Sequence, residues 1–336
     1  MKVKVFMNTA GTNRERTILR SMHDGITEIL VPKERTQLKE WKQINKELGR
    51  GAGVEYDYGE KYSKCDVAVM LGSWKPERSN IHHIVRSSIV EKSKSFICIE
   101  TPLLARQVHK DNEYFRVGIN GFLNRAATFG DEVDRPADRL NKIGVKYNGW
   151  KQSRGDKIVV ALQLAGDASL RHNDINDWCW DTVNTLRKNT QRPIEIRTHP
   201  AMSEKGWGNH ESLFRRFLFA SVPNISFVNG KDVPWASQIK DAHCVVAYSS
   251  GLSIDAVVAG IPVIACDEGN FAWNVVERNL QFIENPRLQS AENVQQWLQN
   301  LAYCQWSIDE MESGECWSYL KSSVDKVLTS VEEDKE

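Results

Sequence analysis

The stretch "HCVVAYSSGLSIDAVVAGIPVIACDEGN", His243 to Asn270, decides the fold. It opens on an apolar run that reads as a buried strand. Tyr248-Ser249-Ser250-Gly251 then makes a turn rich in small residues. A helix from Gly251 to Ala259 follows, then a tight Gly-x-Pro turn, then a second apolar strand, "PVIACDE". Two strands joined through a helix run parallel, and continuous apolar runs mark strands covered on both faces. Ligands of such sheets bind beyond the carboxyl ends of the strands. The small polar residues at the end of the first strand therefore stand where a ligand would sit.

The same alternation extends upstream. "KIVVALQL" reads as a strand, "AGDASLRHND" as a turn and "INDWCWDTVNTLRKNT" as a helix. "PIEIRTHP" is a strand ended by Pro200, "ESLFRRFLFAS" a helix, "ISFVNG" a short strand and "VPWASQIKDA" a short helix. The N-terminal half repeats the style. "KVKVFMNT" is a strand, "NRERTILRSMHDG" a helix closed by Gly25, and "ITEILVP" a strand stopped by Pro32. "RTQLKEWKQINKELGRG" is a polar-faced helix, followed by the strand "CDVAVMLGS", the helix "SNIHHIVRSSIVEKS" and the strand "SFICIET". The section "FRVGINGFLNRAATFGDEVDRPADRLNKIG" reads as polar loop, and the last forty or so residues as helices whose tryptophans anchor packing. The expected fold is α/β, with two doubly wound parallel-sheet (Rossmann-like) domains in series, closed by C-terminal helices. The boundaries expected are 1–148, 149–305, and a helical segment 306–336 with a frayed acidic end.

Composition narrows the class. Hydrophobic residues are 41% and charged residues 26% of the 336, an ordinary water-soluble balance. No apolar run approaches the roughly 20 residues of a membrane span. Met1-Lys2-Val3-Lys4 begins a strand rather than a signal peptide. The seven cysteines are scattered, with no CxxC pair, which disfavours a disulfide framework or zinc site and points to a reducing cytoplasm. The formal charge is zero but uneven: residues 1–150 hold 26 Lys+Arg against 19 Asp+Glu, leaving 18 against 25 in the remainder. The basic half is either a solvated surface or a face for a polyanion. No GxGxxG or P-loop occurs, which argues against a dehydrogenase or NTPase. No metal constellation is seen, and no metal or cofactor is expected.

The strand-end rule selects Asn8-Thr9, Gly72-Ser73 and Glu100-Thr101 in the first half. In the second it selects Gly166-Asp167, Arg197-Thr198-His199 and Tyr248-Ser249-Ser250. Gly251 opens a helix whose free N–H groups suit a diphosphate, and Ser249 and Ser250 add hydroxyls. Asp255, one turn on, suits ribose hydroxyls. Equally, Ser250 can be a helix cap and Asp255 a partner of the helix dipole. Arg197 can fork a phosphate and His199 donate to it.

The segments "RTHP", "YSSGLSIDAVVAGIPVIACD" and "IETPLLARQVHKDNEYFRVGINGFLNRAATF" resemble the two-domain GT-B glycosyltransferases, above all the capsule-polysaccharide group and bacteriophage (DNA-modifying) relatives. The resemblance implies that Tyr248, Ser249, Ser250, Gly251, Asp255, Arg197 and His199 bind the donor, a nucleoside diphosphate sugar, with a UDP-sugar first. Many such enzymes carry Glu at the position of Asp255. By the same resemblance the two domains would face a cleft, the segment 306–336 would cross over to pack back on the first domain, and the N-terminal domain would hold the acceptor, with Asn8, Arg14, Arg16, Arg106 and Asn120 as candidates. Glu100, ending the apolar strand "FICIE", is the first candidate for general base, and Asp167 the second. Two acceptors are weighed. The first is double-stranded DNA bearing a hydroxymethylated pyrimidine, in the host cytoplasm if the protein is of phage origin; it is favoured by Arg14, Arg16, Arg20, Lys33, Arg35, Lys39, Lys42, Lys46 and Arg50. The second is a capsule or surface polysaccharide. A sugar-nucleotide epimerase and a non-catalytic nucleotide-sugar binder stay open as further alternatives.

Overall fold

The computed structural model describes residues 1–7, 11–30, 53–57, 61–75, 80–105, 113–131, 133–201 and 210–333. The chain divides into two units. The first comprises Met1–Phe122, Ala126–Arg139 and Asn300–Glu336; the second comprises Leu123–Arg125 and Leu140–Gln299. Each is built on one doubly wound sheet.

The first unit contains β1 (Lys2–Phe6), β2 (Gly53–Asp57), β3 (Val67–Leu71), β4 (Ser95–Glu100), β5 (Tyr114–Ile119) and β11 (Gln305–Ser307), in the order β11-β5-β4-β3-β1-β2. The four strands β2, β1, β3 and β4 are parallel, with Val3 opposite both Val54 and Val67. β5 and β11 run antiparallel at the edge. Neither is expected from the sequence. β5 lies inside the section read as loop, although all six of its residues are buried. Arg116 and Gly118 mask the apolar pattern, since Arg116 is buried only through partners that the sequence does not reveal.

The helix Asn13–Leu30 shows a second difference. It starts at a reciprocal cap in which Thr12 N–H donates to Glu15 Oε2 and Glu15 N–H to Thr12 Oγ1. It buries Ile18, Leu19, Met22 and Ile26, which recur at helical spacing. It runs on through Gly25 and absorbs residues 26–30, expected as strand. Gly25 is not a stop signal. A Cβ there would lie 1.8 Å from the Met311 carbonyl oxygen, so glycine serves the close approach of the helix Ile308–Glu312. The helix expected over residues 35–51 lies outside the described residues.

The helix Glu315–Glu333 closes this unit's core. Trp306, Trp317, Leu320 and Val324 join Val3, Val5 and Met22 in one buried cluster. A buried ion pair fixes the returning segment. Arg139 Nη1 and Nη2 donate to Glu310 Oε1 and Oε2 at 3.0 and 2.9 Å, and its guanidinium lies 3.9 Å above the Trp306 ring. Glu310 also completes a capping box with Ser307. With its hydrogen bonds satisfied, such a pair tolerates burial; losing one partner strands the other charge.

The second unit contains β6 (Lys157–Ala161), β7 (Ile194–Arg197), β8 (Ile225–Val228), β9 (Ala242–Ala247) and β10 (Val263–Ala265), in the order β10-β9-β6-β7-β8. All its pairs are parallel. The helix Ile175–Arg187, capped by the Asp174 side chain, buries Ile175, Cys179, Val183 and Leu186 against this sheet. Among the described residues no helix is long and apolar enough to cross a membrane.

Strand order locates each unit's crevice. In the second unit the chain winds outward from β6 through β7 and β8, then returns to the other side of β6 with β9. Its switch point is the β6–β9 boundary. In the first unit the same reversal falls between β1 and β3. Helices diverge to opposite faces at such points and leave a hollow beyond the strand ends.

Candidate functional site

At the second unit's switch point, polar side chains lace the end of β6 to the end of β9. Buried Gln163 accepts the Ser249 N–H at 3.1 Å through Oε1 and donates through Nε2 to Ser249 Oγ (3.1 Å) and Ser169 Oγ. Ser249 Oγ donates to the Ser169 carbonyl at 3.0 Å. Asp167 caps the short turn Ala168–Leu170, with Oδ1 accepting from Ser169 N–H and Oγ at 2.9 and 2.6 Å. Ser249 and Asp167 therefore build the crevice wall. Asp167, the second candidate base, acts as a turn cap, because its carboxylate faces the backbone of its own loop.

The turn carries Arg171 and His172 in left-handed backbone, at φ 48° and 71°. Each costs roughly 1 kcal/mol for a residue with a Cβ, and strain of this kind gathers at functional sites. Its effect is to aim Arg171 at the end of β10, where Nη2 pairs with Asp267 Oδ2 while Nη1 stands 3.8 Å from Glu268. The Arg171 side chain is 38% exposed. Tyr248 is tied in as well: its hydroxyl accepts from Asn173 Nδ2 at 2.7 Å, and burial, followed by the neighbouring Asp267 carboxylate, pushes its ionisation up to about 12. Buried Asn270 donates to the Tyr248 carbonyl (3.0 Å) and to Ser253 Oγ (2.8 Å), holding the opposite rim. Ser250 Oγ accepts the Leu252 N–H at 3.3 Å, a local cap on the helix Leu252–Val258. Half-buried Asp255 lies within that helix, and Gly251 is its cap residue. The result is a cation, a carboxylate and a phenol brought together beyond the ends of β9 and β10, a set able to hold an oxyanion beside sugar hydroxyls.

Arg197 does not belong to that set. It is 3% exposed; Nη1 donates to the Val233 carbonyl and Gln238 Oε1, both at 2.8 Å, and Nη2 to the Gly230 carbonyl at 2.9 Å. β7 lies one strand away from the switch point, so its terminal arginine turns into the adjoining loop and closes that loop. His199 is half-buried, with Nδ1 accepting the Ala201 N–H at 3.1 Å. Fully buried His210 bonds Asn176 Oδ1 through Nδ1, and burial holds its imidazole toward the neutral form.

In the first unit, Glu100 stands at the carboxyl end of β4 next to the β1–β3 switch point. Oε1 accepts the Ser73 N–H at 2.8 Å, Oε2 accepts the Thr101 N–H at 3.0 Å, and Arg116 Nη2 lies 3.8 Å away. Arg116 comes from β5 directly across the ladder from Glu100. Arg86, on the helix Ile81–Lys92, donates to the Ser73 carbonyl at 3.1 Å, and burial works against its charge.

The acceptor-side expectations scatter. Asn120 takes left-handed backbone at φ 58°, and its Oδ1 accepts from Phe96 N–H and Ser95 Oγ at the amino end of β4. Since β5 runs antiparallel, its terminal residue falls at the opposite edge of the sheet from Glu100. Arg14 forks Glu113 at 3.0 and 2.7 Å, with its side chain 65% exposed. Arg16 occupies the first turn of its helix, its N–H on the Thr12 carbonyl. Asn8 and Arg106 lie outside the described residues. Sequence reading missed Asp267, Gln163, Arg86 and Arg116. For Asp267 the signal existed: it falls just past β10 once that strand is ended at Ala265.

No protein-family model and no curated protein matches this chain. Solved structures similar in fold include the β-Kdo 2,7-transferase of KpsC from Thermosulfurimonas dismutans. It is 13% identical over 96% of this chain and 100% of that one, with a TM-score of 0.44. The β-Kdo 2,4-transferase of the same protein is 13% identical over 90% and 98%, with a TM-score of 0.42. The UDP-GlcNAc 2-epimerase from Methanocaldococcus jannaschii is 12% identical over 86% and 94%, with a TM-score of 0.30. These likenesses assign no residue a role.

Proposed function

We propose that the chain is a glycosyltransferase that moves a sugar from a nucleoside diphosphate sugar, a UDP-sugar first, to a hydroxyl of an acceptor glycan. One observation carries this reading. The second unit's switch point gathers Arg171, Asp267, Tyr248 and Ser250 from the ends of three adjacent strands. Arg171 offers the charge a leaving diphosphate requires, and Asp267 and Tyr248 suit sugar or ribose hydroxyls. The Ser250 and Gly251 N–H groups, which make no hydrogen bond among the described residues, add donors beside them. Glu100 is the group proposed to orient or deprotonate the acceptor hydroxyl. The reading needs no cofactor beyond the donor.

A glycan acceptor is preferred to DNA on the basic residues themselves. Arg14, at the head of that group, is already forked by Glu113; Lys33, Arg35, Lys39, Lys42, Lys46 and Arg50 lie outside the described residues and weigh on neither side. The test is a thermal-shift panel of nucleoside diphosphates and sugar nucleotides, followed by product analysis with and without acceptor. Binding to the native state raises the melting temperature by mass action. Stabilisation by one diphosphate, with sugar consumed only when acceptor is present, supports transfer. Conversion of the donor sugar without acceptor means epimerisation, and no shift with any nucleotide removes the proposal.

A further inference from the structure

Beyond β10 stands a second guanidinium, which the donor reading does not use. Arg125 lies on the short segment Leu123–Arg125 and belongs to the second unit. Its neighbour Asn124 mounts it there. Asn124 N–H donates to the Gly269 carbonyl at 3.2 Å, and Asn124 Nδ2 donates to the carbonyls of Glu268 and Asn270 at 2.9 and 3.2 Å. Asn270 is the buried residue that holds Tyr248 and Ser253, so Arg125 is fixed to the same rim. Its backbone is left-handed, at φ 57°, as is that of Arg171 at 48°. Residues with a Cβ take this conformation at a cost.

The two arginines meet at one carboxylate. Glu268 Oε1 lies 3.8 Å from Arg171 Nη1, and Oε2 lies 3.9 Å from Arg125 Nη1. Both separations exceed hydrogen-bonding distance, and among the described residues the Glu268 carboxylate accepts no hydrogen bond. The side chains of Glu268 and Arg125 are each 51% exposed, and exposed ion pairs are weak. Arg125 spends one of its five N–H donors on a 3.4 Å contact with Asn274 Oδ1, which leaves the rest of its fork for a ligand. Arg171 gives one arm to Asp267, while the other, Nη1, faces Glu268. A loosely held carboxylate thus stands between two guanidinium arms.

We propose that Arg125 and Arg171 form a two-pronged site for a diphosphate, and that Glu268 is the internal anion the diphosphate displaces. Each guanidinium takes one phosphoryl group through charge-assisted hydrogen bonds, and the exposed carboxylate moves out into solvent. A monophosphate engages one prong, so the site selects a nucleoside diphosphate over a nucleoside monophosphate. This inference rests on the donor reading of the same crevice. It adds Arg125 and Glu268 as the residues that set which donor enters.

The experiment is calorimetric titration of the full chain with UDP, UMP, uridine and inorganic pyrophosphate, with a thermal melt on each variant. Arg125→Gln should bind UDP and pyrophosphate about tenfold more weakly and UMP within about threefold of wild type. Glu268→Gln should bind UDP about fivefold more tightly and uridine unchanged. That gain should fall below about twofold when Arg125→Gln is also present. Wild type that binds UMP as tightly as UDP overturns the proposal. So does an Arg125→Gln variant that binds UDP within about twofold of wild type, or a Glu268→Gln variant that melts normally and gains no affinity. These failures leave the transferase reading standing, because its diphosphate contact is Arg171. Pyrophosphate binding that depends on Arg125, with no affinity for any nucleotide, counts against the transferase reading and supports the two-pronged site.

Discussion

Arg171, on the turn after β6, and Arg197, at the end of β7, both belong to the second unit, and their replacement by Gln separates ligand binding from fold maintenance. Arg171 is 38% exposed, and its ion pair with Asp267 is accordingly worth no more than about 1 kcal/mol to the fold. Asp267 keeps the Gly269 N–H at 2.8 Å after the change. Toward a diphosphate the loss is larger: a hydrogen bond to a charged group contributes about 1.5–3 kcal/mol. That converts to UDP binding about 10- to 150-fold weaker, with Asp267 left to repel the ligand. Arg197 behaves oppositely. Arg197→Gln leaves the Gly230 and Val233 carbonyls and Gln238 Oε1 buried without their donor. At about 1–3 kcal/mol for each buried group left unsatisfied, partly relieved by relaxation, the total is about 3–5 kcal/mol. For a unit of this size that is a fall in melting temperature of about 6–20 °C. Calorimetric titration with UDP and a thermal melt on each variant suffice. If Arg171→Gln binds UDP within twofold of wild type, or Arg197→Gln melts normally yet loses UDP, the division of labour argued here is wrong.

Other outcomes follow from the same geometry. Glu100→Gln should lower turnover at least about 100-fold while leaving the UDP-induced thermal shift unchanged; near-normal turnover with an identified acceptor removes Glu100 from the mechanism. Gly25→Ala, which drives a Cβ to 1.8 Å from the Met311 carbonyl, should cost about 1–3 kcal/mol in a denaturant melt despite alanine's better helix propensity. Glu310→Gln should destabilise the first unit by about 3–5 kcal/mol by stranding Arg139; a double variant with Arg139→Met should recover much of it. Burial lowers the imidazole pKa of His210 and His243 below the ordinary 6.5. Below that value the unfolded chain binds more protons than the native one, so their stabilisation is present above about pH 6.5 and lost as pH falls through the native values. Chemical melts between pH 7 and 5 should show this slope, and His210→Asn should flatten it.

Much of the second unit was legible because its strands are short apolar runs between strongly marked turns. β6, β9 and β10 announce themselves through "KIVVA", "HCVVA" and "PVIA". The first unit was harder, for identifiable reasons. Arg116 is stabilised inside β5 by Glu100 and the Phe122 ring, residues distant in sequence or on another strand, so β5 reads as polar loop. Residues 26–30 have strand-like composition, and tertiary packing against Met311 and Gly314 carries them as helix. β11, three residues long, owes its existence to an antiparallel ladder with β5 and has no period of its own to detect.

The same physics explains which candidate residues gather at the crevices. Strand-end position picks out Arg197, while Arg171 arrives on the turn that follows β6, and chemistry alone favours both. Strand order separates them. β6 and β9 adjoin across the reversal, where diverging helices leave room for polar side chains to meet over open space. β7 sits one strand further, where the loop 229–234 covers its end and a guanidinium lowers its energy by donating to that loop's carbonyls. Arg86 obeys the rule from the other direction: it comes from a helix interior rather than a strand end, yet Gly72 at the reversal gives it the space to reach the hollow. Filling that space through Gly72→Ala would displace the guanidinium and force the left-handed turn onto a residue with a Cβ. Gly72→Ala should therefore destabilise the first unit by about 1–3 kcal/mol in a denaturant melt, and a melt unchanged from wild type would show that neither the guanidinium nor the turn constrains this position.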